Sequence, residues 1–162
     1  MAVDALHLQW VRTLPPLEPA FRDVRLQFDR GYEPVVAGGR MFIGSSRDDS
    51  MIALDAETGE LLWRFVTEGP IRFAPVAWEG GVYFGSDDGQ FYCLNATDGS
   101  LRWKYRAVPS ERLLMGNRRL ISTWPVRGGP ALRDGRVYFA AGVWSFEGVF
   151  VYALDAKTGE LV

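Results

Sequence analysis

Three copies of one eleven-residue pattern, short apolar runs punctuated by glycine turns, and the lack of any sustained helical period predict an all-β chain. The expected architecture is three consecutive four-stranded antiparallel blades of a β-propeller, forming part of a ring. The copies are ALDAETGELLW from Ala53 to Trp63, CLNATDGSLRW from Cys93 to Trp103, and ALDAKTGELV from Ala153 to Val162. Eight residues separate Asp55 from Trp63, and eight separate Asn95 from Trp103. Applied to Asp155, the same step expects a tryptophan at position 163, one residue past Val162, as a cut inside a repeat would leave it. A decayed copy, Ala2 to Trp10, lacks the Thr-Gly pair. The units so defined run over residues 10–62, 63–102 and 103–162.

Within the shortest unit the strands follow in order. Phe73 to Trp78, Gly81 to Gly85, Gln90 to Leu94 and Leu101 to Arg106 are β-branched or aromatic runs, and Glu79-Gly80 and Asp87-Asp88-Gly89 between them are tight-turn signals. The other units repeat the plan, with turns at Gly38-Gly39 and Asp134-Gly135 and strands from Arg40 to Gly44 and from Arg136 to Ala140. Pro34, Pro75 and Pro130 recur where only a strand start or an unpaired edge tolerates proline. Glu111 to Ile121 is the one stretch able to hold a short helix.

The repeated residues read as scaffold. Gly59, Gly99 and Gly159 permit the positive φ of a tight turn; Asp55, Asn95 and Asp155, with Thr58 and Thr158, can bond backbone amides across it. Trp63 and Trp103 offer large rings to the neighbouring blade. Trp10, whose own turn has decayed, is expected to be more exposed.

The unequal lengths of the units carry the functional signal. From tryptophan to marker proline the spans are 24 residues (Trp10 to Pro34), 12 (Trp63 to Pro75) and 27 (Trp103 to Pro130). The third unit also has a longer middle hairpin around Val143 to Gly148. Strand direction alternates, so all the extra length should decorate one face, as insertions in repeat proteins commonly do at the binding face. Arg106 to Arg127 holds five arginines against one acid, Glu111. The candidate binding face is therefore Arg112, Arg118, Arg119, Trp124, Arg127 and Trp144. Arginine with aromatics suits an anionic or sugar-like ligand or a protein partner, whereas the plainer expectation has the arginines solvated and Leu113, Leu114 and Leu120 pinning the loop.

Composition excludes several classes. With 48% hydrophobic and 23% charged residues the chain is globular, and a net charge of −2 gives no pull toward nucleic acid. No apolar run is long enough for a membrane-spanning helix, and the first ten residues lack a secretory signal. One cysteine and one histidine, Cys93 and His7, form neither a disulfide nor a zinc site, and neither is flanked by a nucleophile signature. Asp48, Asp49, Asp87 and Asp88 lie in turns that favour aspartate for local bonding, so no metal site and no catalytic residue is expected.

The Ala-Leu-Asp-Ala-x-Thr-Gly-x-Leu-x-Trp block closely resembles the tryptophan-docking repeat of the pyrroloquinoline-quinone (PQQ)-like propellers. That family includes the quinoprotein alcohol dehydrogenases and the propeller lipoprotein of the outer-membrane β-barrel assembly machine. The resemblance implies a propeller and an extracytoplasmic setting. It leaves two functions open: a non-catalytic binding or scaffold module for a protein or polysaccharide, or a segment of a PQQ- and calcium-dependent dehydrogenase. Enzymatic members commonly place a disulfide of adjacent cysteines against the cofactor, which a lone Cys93 cannot form. Three blades leave flanks to be covered by further blades of the same protein or by a second copy.

Overall fold

The computed structural model describes residues 7–116 and 119–162. Among the described residues thirteen antiparallel strands form three sheets and a separate hairpin. Sheet I contains β1 (Val35–Ala37), β2 (Arg40–Ser45), β3 (Ser50–Asp55) and β4 (Leu61–Val66) in sequential order. Sheet II repeats this with β5 (Val76–Trp78), β6 (Gly81–Gly85), β7 (Gln90–Asn95) and β8 (Leu101–Arg106). The hairpin of β9 (Leu113–Gly116) and β10 (Arg119–Ser122) follows. Sheet III comprises β11 (Ala131–Arg133), β12 (Arg136–Ala141) and β13 (Phe150–Asp155), with one further bridge between Leu154 and Leu161 where a fourth strand starts. These are the up-and-down blades of a β-propeller.

Each inner strand begins one residue after a marker proline, at Val35, Val76 and Ala131. The apolar run from Phe73 is therefore strand only from Val76. Pro75 has no N–H for a ladder, and the amide of Ala74 donates to the Glu33 carboxylate instead (2.8 Å). Two expectations fail. Where a helix is expected over 111–121, Leu113–Gly116 and Arg119–Ser122 pair as a hairpin, because burial alternates with period two: Leu113 and Met115 point out while Leu114 and Gly116 turn in. Leu113 and Leu120 are exposed, so Leu114 and Ile121 hold this hairpin down. The only helical turn among the described residues is a three-residue 3₁₀ segment, Val24–Leu26, capped by the Asp23 carboxylate on the Arg25 amide (3.0 Å).

Alternation along the strands gives every blade two apolar faces, and the sheets stack through them. Phe42, Met51 and Ala53 of sheet I pack on Val82, Phe84 and Leu94 of sheet II, with Trp63 and Ile71 filling the seam. Tyr83, Phe91 and Cys93 of sheet II pack on Val137, Phe139 and Leu154 of sheet III; Phe91 and Phe139 stack at 3.9 Å. The far side of sheet I, formed by Ile43, Ile52 and Leu54, lies under Trp10, Leu14 and Tyr32 of the leading segment.

Candidate functional site

Antiparallel order sends the β1–β2 and β3–β4 turns to one end of the blades, and the β2–β3 turns and inter-blade links to the other. The two ends are built differently.

At the first end one geometry occurs three times. Asp55 Oδ1 accepts the amides of Glu57 (2.9 Å) and Thr58 (2.8 Å), and Thr58 Oγ1 accepts that of Glu60 (3.2 Å). Asp155, Thr158 and Glu160 repeat these bonds, while Asn95 accepts the Thr97 amide (3.0 Å). These bonds to the charged form hold Asp55 and Asp155 below the usual carboxylate range. The glycine that closes each turn has φ near +73° and lies under the indole of the preceding unit: Gly59 under Trp10, Gly99 under Trp63, Gly159 under Trp103. The indole N–H donates to the carbonyl of Ala56, Ala96 and Ala156 in turn, at 3.1, 3.1 and 3.2 Å. Trp10 is less buried than Trp63 but no less so in class than Trp103. Docking depends on the glycine of the next blade, so a decayed turn in its own copy does not release it; residues 2–6 of that copy lie outside the described residues.

At the second end the link backbones repeat, with the Ile71 and Val126 amides donating to the Ser45 and Ser86 carbonyls (3.3 and 3.0 Å) ahead of Arg72 and Arg127, but the side-chain partners do not, and the long segments meet. Arg72 is buried between two carboxylates: its Nε donates to Asp87 Oδ2 (2.7 Å), and its Nη1 to Asp29 and to the Glu18 carbonyl (2.8 Å). Arg127 grips the same Asp87 with both prongs, at 2.8 and 2.7 Å. Arg119 pairs with Asp49 and lies 3.5 Å from Glu18; Arg112 pairs with Glu147 and covers the Trp124 ring at 5.4 Å. Trp124 is buried and donates its N–H to the Glu147 carbonyl (2.6 Å). Burial pushes Asp49 above the usual carboxylate range, against the pull of Arg119.

Five of the six binding-face candidates, Arg112, Arg119, Trp124, Arg127 and Trp144, therefore stand on one end of the blades; Arg118 lies outside the described residues. Their charge differs from the sequence expectation. Arginines that meet one acid within their own segment are met in space by Glu18, Asp49, Asp87 and Glu147 from other segments. Local turn bonding fits Asp48, which accepts from Ser45 Oγ (2.7 Å), and Asp88, which accepts from the Gln90 amide (2.8 Å). Asp49 and Asp87 instead tie units together. Arg72 and Asp29 are not legible as site residues because the bonds of Arg72 span 15 to 54 positions, and Phe21 is not because Arg127 and Trp144 follow it by more than 100.

Between these segments lies a pocket of about 220 Å³, lined by Phe21, Arg72, Met115, Ile121, Arg127 and Trp144 among others. Phe21 stands edge-on to Trp144 (6.2 Å) with the Arg127 guanidinium 5.7 Å over its ring. Among the described residues no three carboxylate, histidine or cysteine side chains converge as a metal site requires, and Asp29 and Asp87 are already committed to arginine. Cys93 is buried, with its thiol raised to about 11 by desolvation.

Comparison with known proteins agrees with this architecture. The family model described as outer membrane protein assembly factor BamB matches residues 7–161. The alcohol dehydrogenase (quinone) dehydrogenase subunit of Gluconobacter oxydans is 35% identical over 150 residues, which is 84% of this chain and 19% of that protein. The BamB protein of Nitrosomonas eutropha is 34% identical over 74 residues, 46% of this chain and 18% of that one. Among solved structures, the quinohemoprotein alcohol dehydrogenase of Comamonas testosteroni superposes with a TM-score of 0.66 at 25% identity, covering 82% of this chain and 20% of that one. The chain thus spans about a fifth of the length of the curated relatives it matches. Repeat, blade order and family match agree: the chain belongs to the PQQ-like β-propeller family that contains both BamB and the quinoprotein alcohol dehydrogenases.

Proposed function

We propose that the chain is a non-catalytic propeller module whose long-loop end is a binding or scaffold surface for a protein or polysaccharide in the bacterial cell envelope. One observation carries this reading. Segments from all three units, which differ only in their inserted lengths, converge on a single preformed pocket held by buried ion pairs. The groups on that face are recognition groups, arginine and aromatic rings, and not an activated nucleophile with its base. The extracytoplasmic setting rests on the outer-membrane description of the matching family.

The far face of sheet III extends the proposal. Tyr138 occupies in β12 the place of Tyr83 in β6, whose hydroxyl donates to Ala156 of the next blade (3.0 Å); Tyr138 and Val151 are exposed. We read this face as the seat of a further blade of the same polypeptide, with a second copy as the alternative occupant. A stable 18.2 kDa monomer by light scattering, unfolding cooperatively, would contradict both.

A segment of a PQQ- and calcium-dependent dehydrogenase is the second reading, favoured by the identity with the Gluconobacter subunit across most of this chain. Two measurements on the purified chain separate them. Binding to envelope fractions, tested after protease or periodate treatment, should be lost in the double variant Arg112→Ala/Trp144→Ala. Calcium-dependent quenching of tryptophan fluorescence by PQQ should not occur. Saturable quenching, or fraction binding indifferent to the double variant, would overturn the module reading.

A further inference from the structure

The long-loop end carries a row of aromatic rings that the ion pairs do not require. Phe73 stacks on Phe28 (5.4 Å), Phe28 meets Phe21 (6.0 Å), Phe21 meets Trp144 (6.2 Å), and Trp144 stacks on Phe146 (6.2 Å). The rings come from three separate segments, the leading one and the β4–β5 and β12–β13 links, and two of them, Phe21 and Trp144, line the 220 Å³ pocket. Three of them stay open to solvent: Phe28 at 47%, Trp144 at 44% and Phe146 at 80%. Large rings left exposed in a continuous row mark a surface that is covered in use.

The charges decide what covers it. Four arginines that gather around the pocket, Arg72, Arg112, Arg119 and Arg127, meet five carboxylates, those of Glu18, Asp29, Asp49, Asp87 and Glu147. These groups leave no surplus positive charge for an anion, and an anionic ligand held by them would have to break pairs that are already made. A guanidinium has five N–H donors, more than the bonds to Asp29, Asp87 and Glu18 use, and both Arg72 and Arg127 line the pocket in orientations fixed by those bonds. Rings as flat apolar platforms, with rigid neutralised donors beside them, match a pyranose. Its C–H face lies on an aromatic ring and its hydroxyl oxygens accept hydrogen bonds. A pocket this size admits one such ring while the exposed row continues past it, which fits a chain of sugars better than a single one.

We propose that this end of the propeller binds a neutral polysaccharide, with one sugar ring seated against Trp144 and Phe21 above Arg72 and Arg127, and neighbouring sugars along Phe28 and Phe146. The proposal rests on the binding-module reading and names its partner.

Native gels cast with laminarin, glucomannan, galactomannan or dextran, and a parallel gel with the polyanion alginate, test it. The purified chain should be retarded by at least one neutral glycan and no more by alginate than by a plain gel. Trp144→Ala should weaken the retardation constant by about tenfold, the scale of one lost aromatic contact, and Trp144→Phe should restore most of it. An unchanged melting temperature would show that Trp144→Ala still folds. Retardation in none of the neutral gels, in alginate alone, or equally in wild type and Trp144→Ala overturns the proposal. If envelope-fraction binding then proves protease-sensitive and still needs the loop residues, the module reading stands and its partner is a protein.

Discussion

The two ends of the blades are made from the same repeats by opposite means. At the turn end Asp55 and Asp155 accept the same two backbone amides, and three tryptophans sit on three glycines at nearly equal distances. At the loop end Arg72 and Arg127 hold the same place in their links, three residues before the marker proline, yet their partners differ: Arg72 bonds Asp29, Asp87 and Glu18 whereas Arg127 bonds Asp87 alone, and the place of Asp87 is taken in sheet III by Gly142. Repeated geometry solves the problem every blade shares, the covering of its apolar face; unrepeated geometry answers to something outside the repeat. Specific function in this molecule should therefore be removable at the exposed rings of the loop end with little loss of stability, and stability at the turn end with no new function.

The largest effect expected from that contrast is Trp63→Ala. Trp63 is only 8% exposed, fills the seam between sheets I and II, and bonds Ala96. Its truncation should cost about 3 to 5 kcal/mol in a urea melt. Trp144→Ala, at the other end, should stay within about 0.5 kcal/mol of wild type. Equal losses would erase the distinction.

A finer cut separates backbone conformation from close approach. Gly99 and Gly39 share φ +73°, but a Cβ on Gly99 would come within 2.7 Å of the Trp63 ring, whereas one on Gly39 meets nothing within 4 Å. Gly39→Ala should cost about 1 to 2 kcal/mol for the left-handed backbone alone. Gly99→Ala adds the displacement of the indole, about 1 to 3 kcal/mol more. A difference near zero between the two would mean that the glycine serves only the turn and not the docking.

How far each end is readable from the chain follows from the same contrast. Asp55, Gly59 and Trp63 announce themselves because their bonds are local, or recur at a fixed step, and that step is printed twice in full. Asp87 looks like any turn aspartate. Its partners Arg72 and Arg127 lie 15 and 40 positions away, so only folding reveals that it joins two inter-blade links. The same blindness made residues 106–127 look like a cationic patch, when acids from four other segments neutralise it. The failed helix at 111–121 has a separate cause: Leu114 and Ile121 satisfy a helical spacing and a period-two hairpin equally well, and Gly116 favours the hairpin.

Arg127→Ala tests the loop end directly. Asp87 keeps Arg72, so the loss is that of one bidentate, charge-assisted contact, about 1.5 to 3 kcal/mol, smaller than at Trp63. The melting midpoint should fall accordingly, and Arg127→Lys should recover only part, since an ammonium cannot make both bonds. Full recovery by lysine would show that charge alone, and not the planar fork, holds the link.

The smallest effect concerns Cys93, which sits in the seam between sheets II and III and belongs to neither end. Burial raises its thiol from 9.0 to about 11, with Tyr83 pulling the other way. The raised group is an acid whose neutral form the fold prefers. Its contribution is whole below pH 9, where both folded and unfolded chains keep the proton, and is lost as pH climbs toward 11 and only the unfolded chain ionises. At pH 8 the folded thiolate amounts to about one part in a thousand. Iodoacetamide should therefore leave the native protein unlabelled over hours and react fully in denaturant, while urea midpoints decline between pH 9 and 11 in wild type but less in Cys93→Ala. The seam repeats in kind between sheets I and II, so its opening reports the scaffold. Labelling that quickens in Trp103→Ala, which loses its contact with Gly159 and Ala156 across this seam, and not in Trp144→Ala would tie local opening to the docking turns. Equal labelling in both variants would break that link.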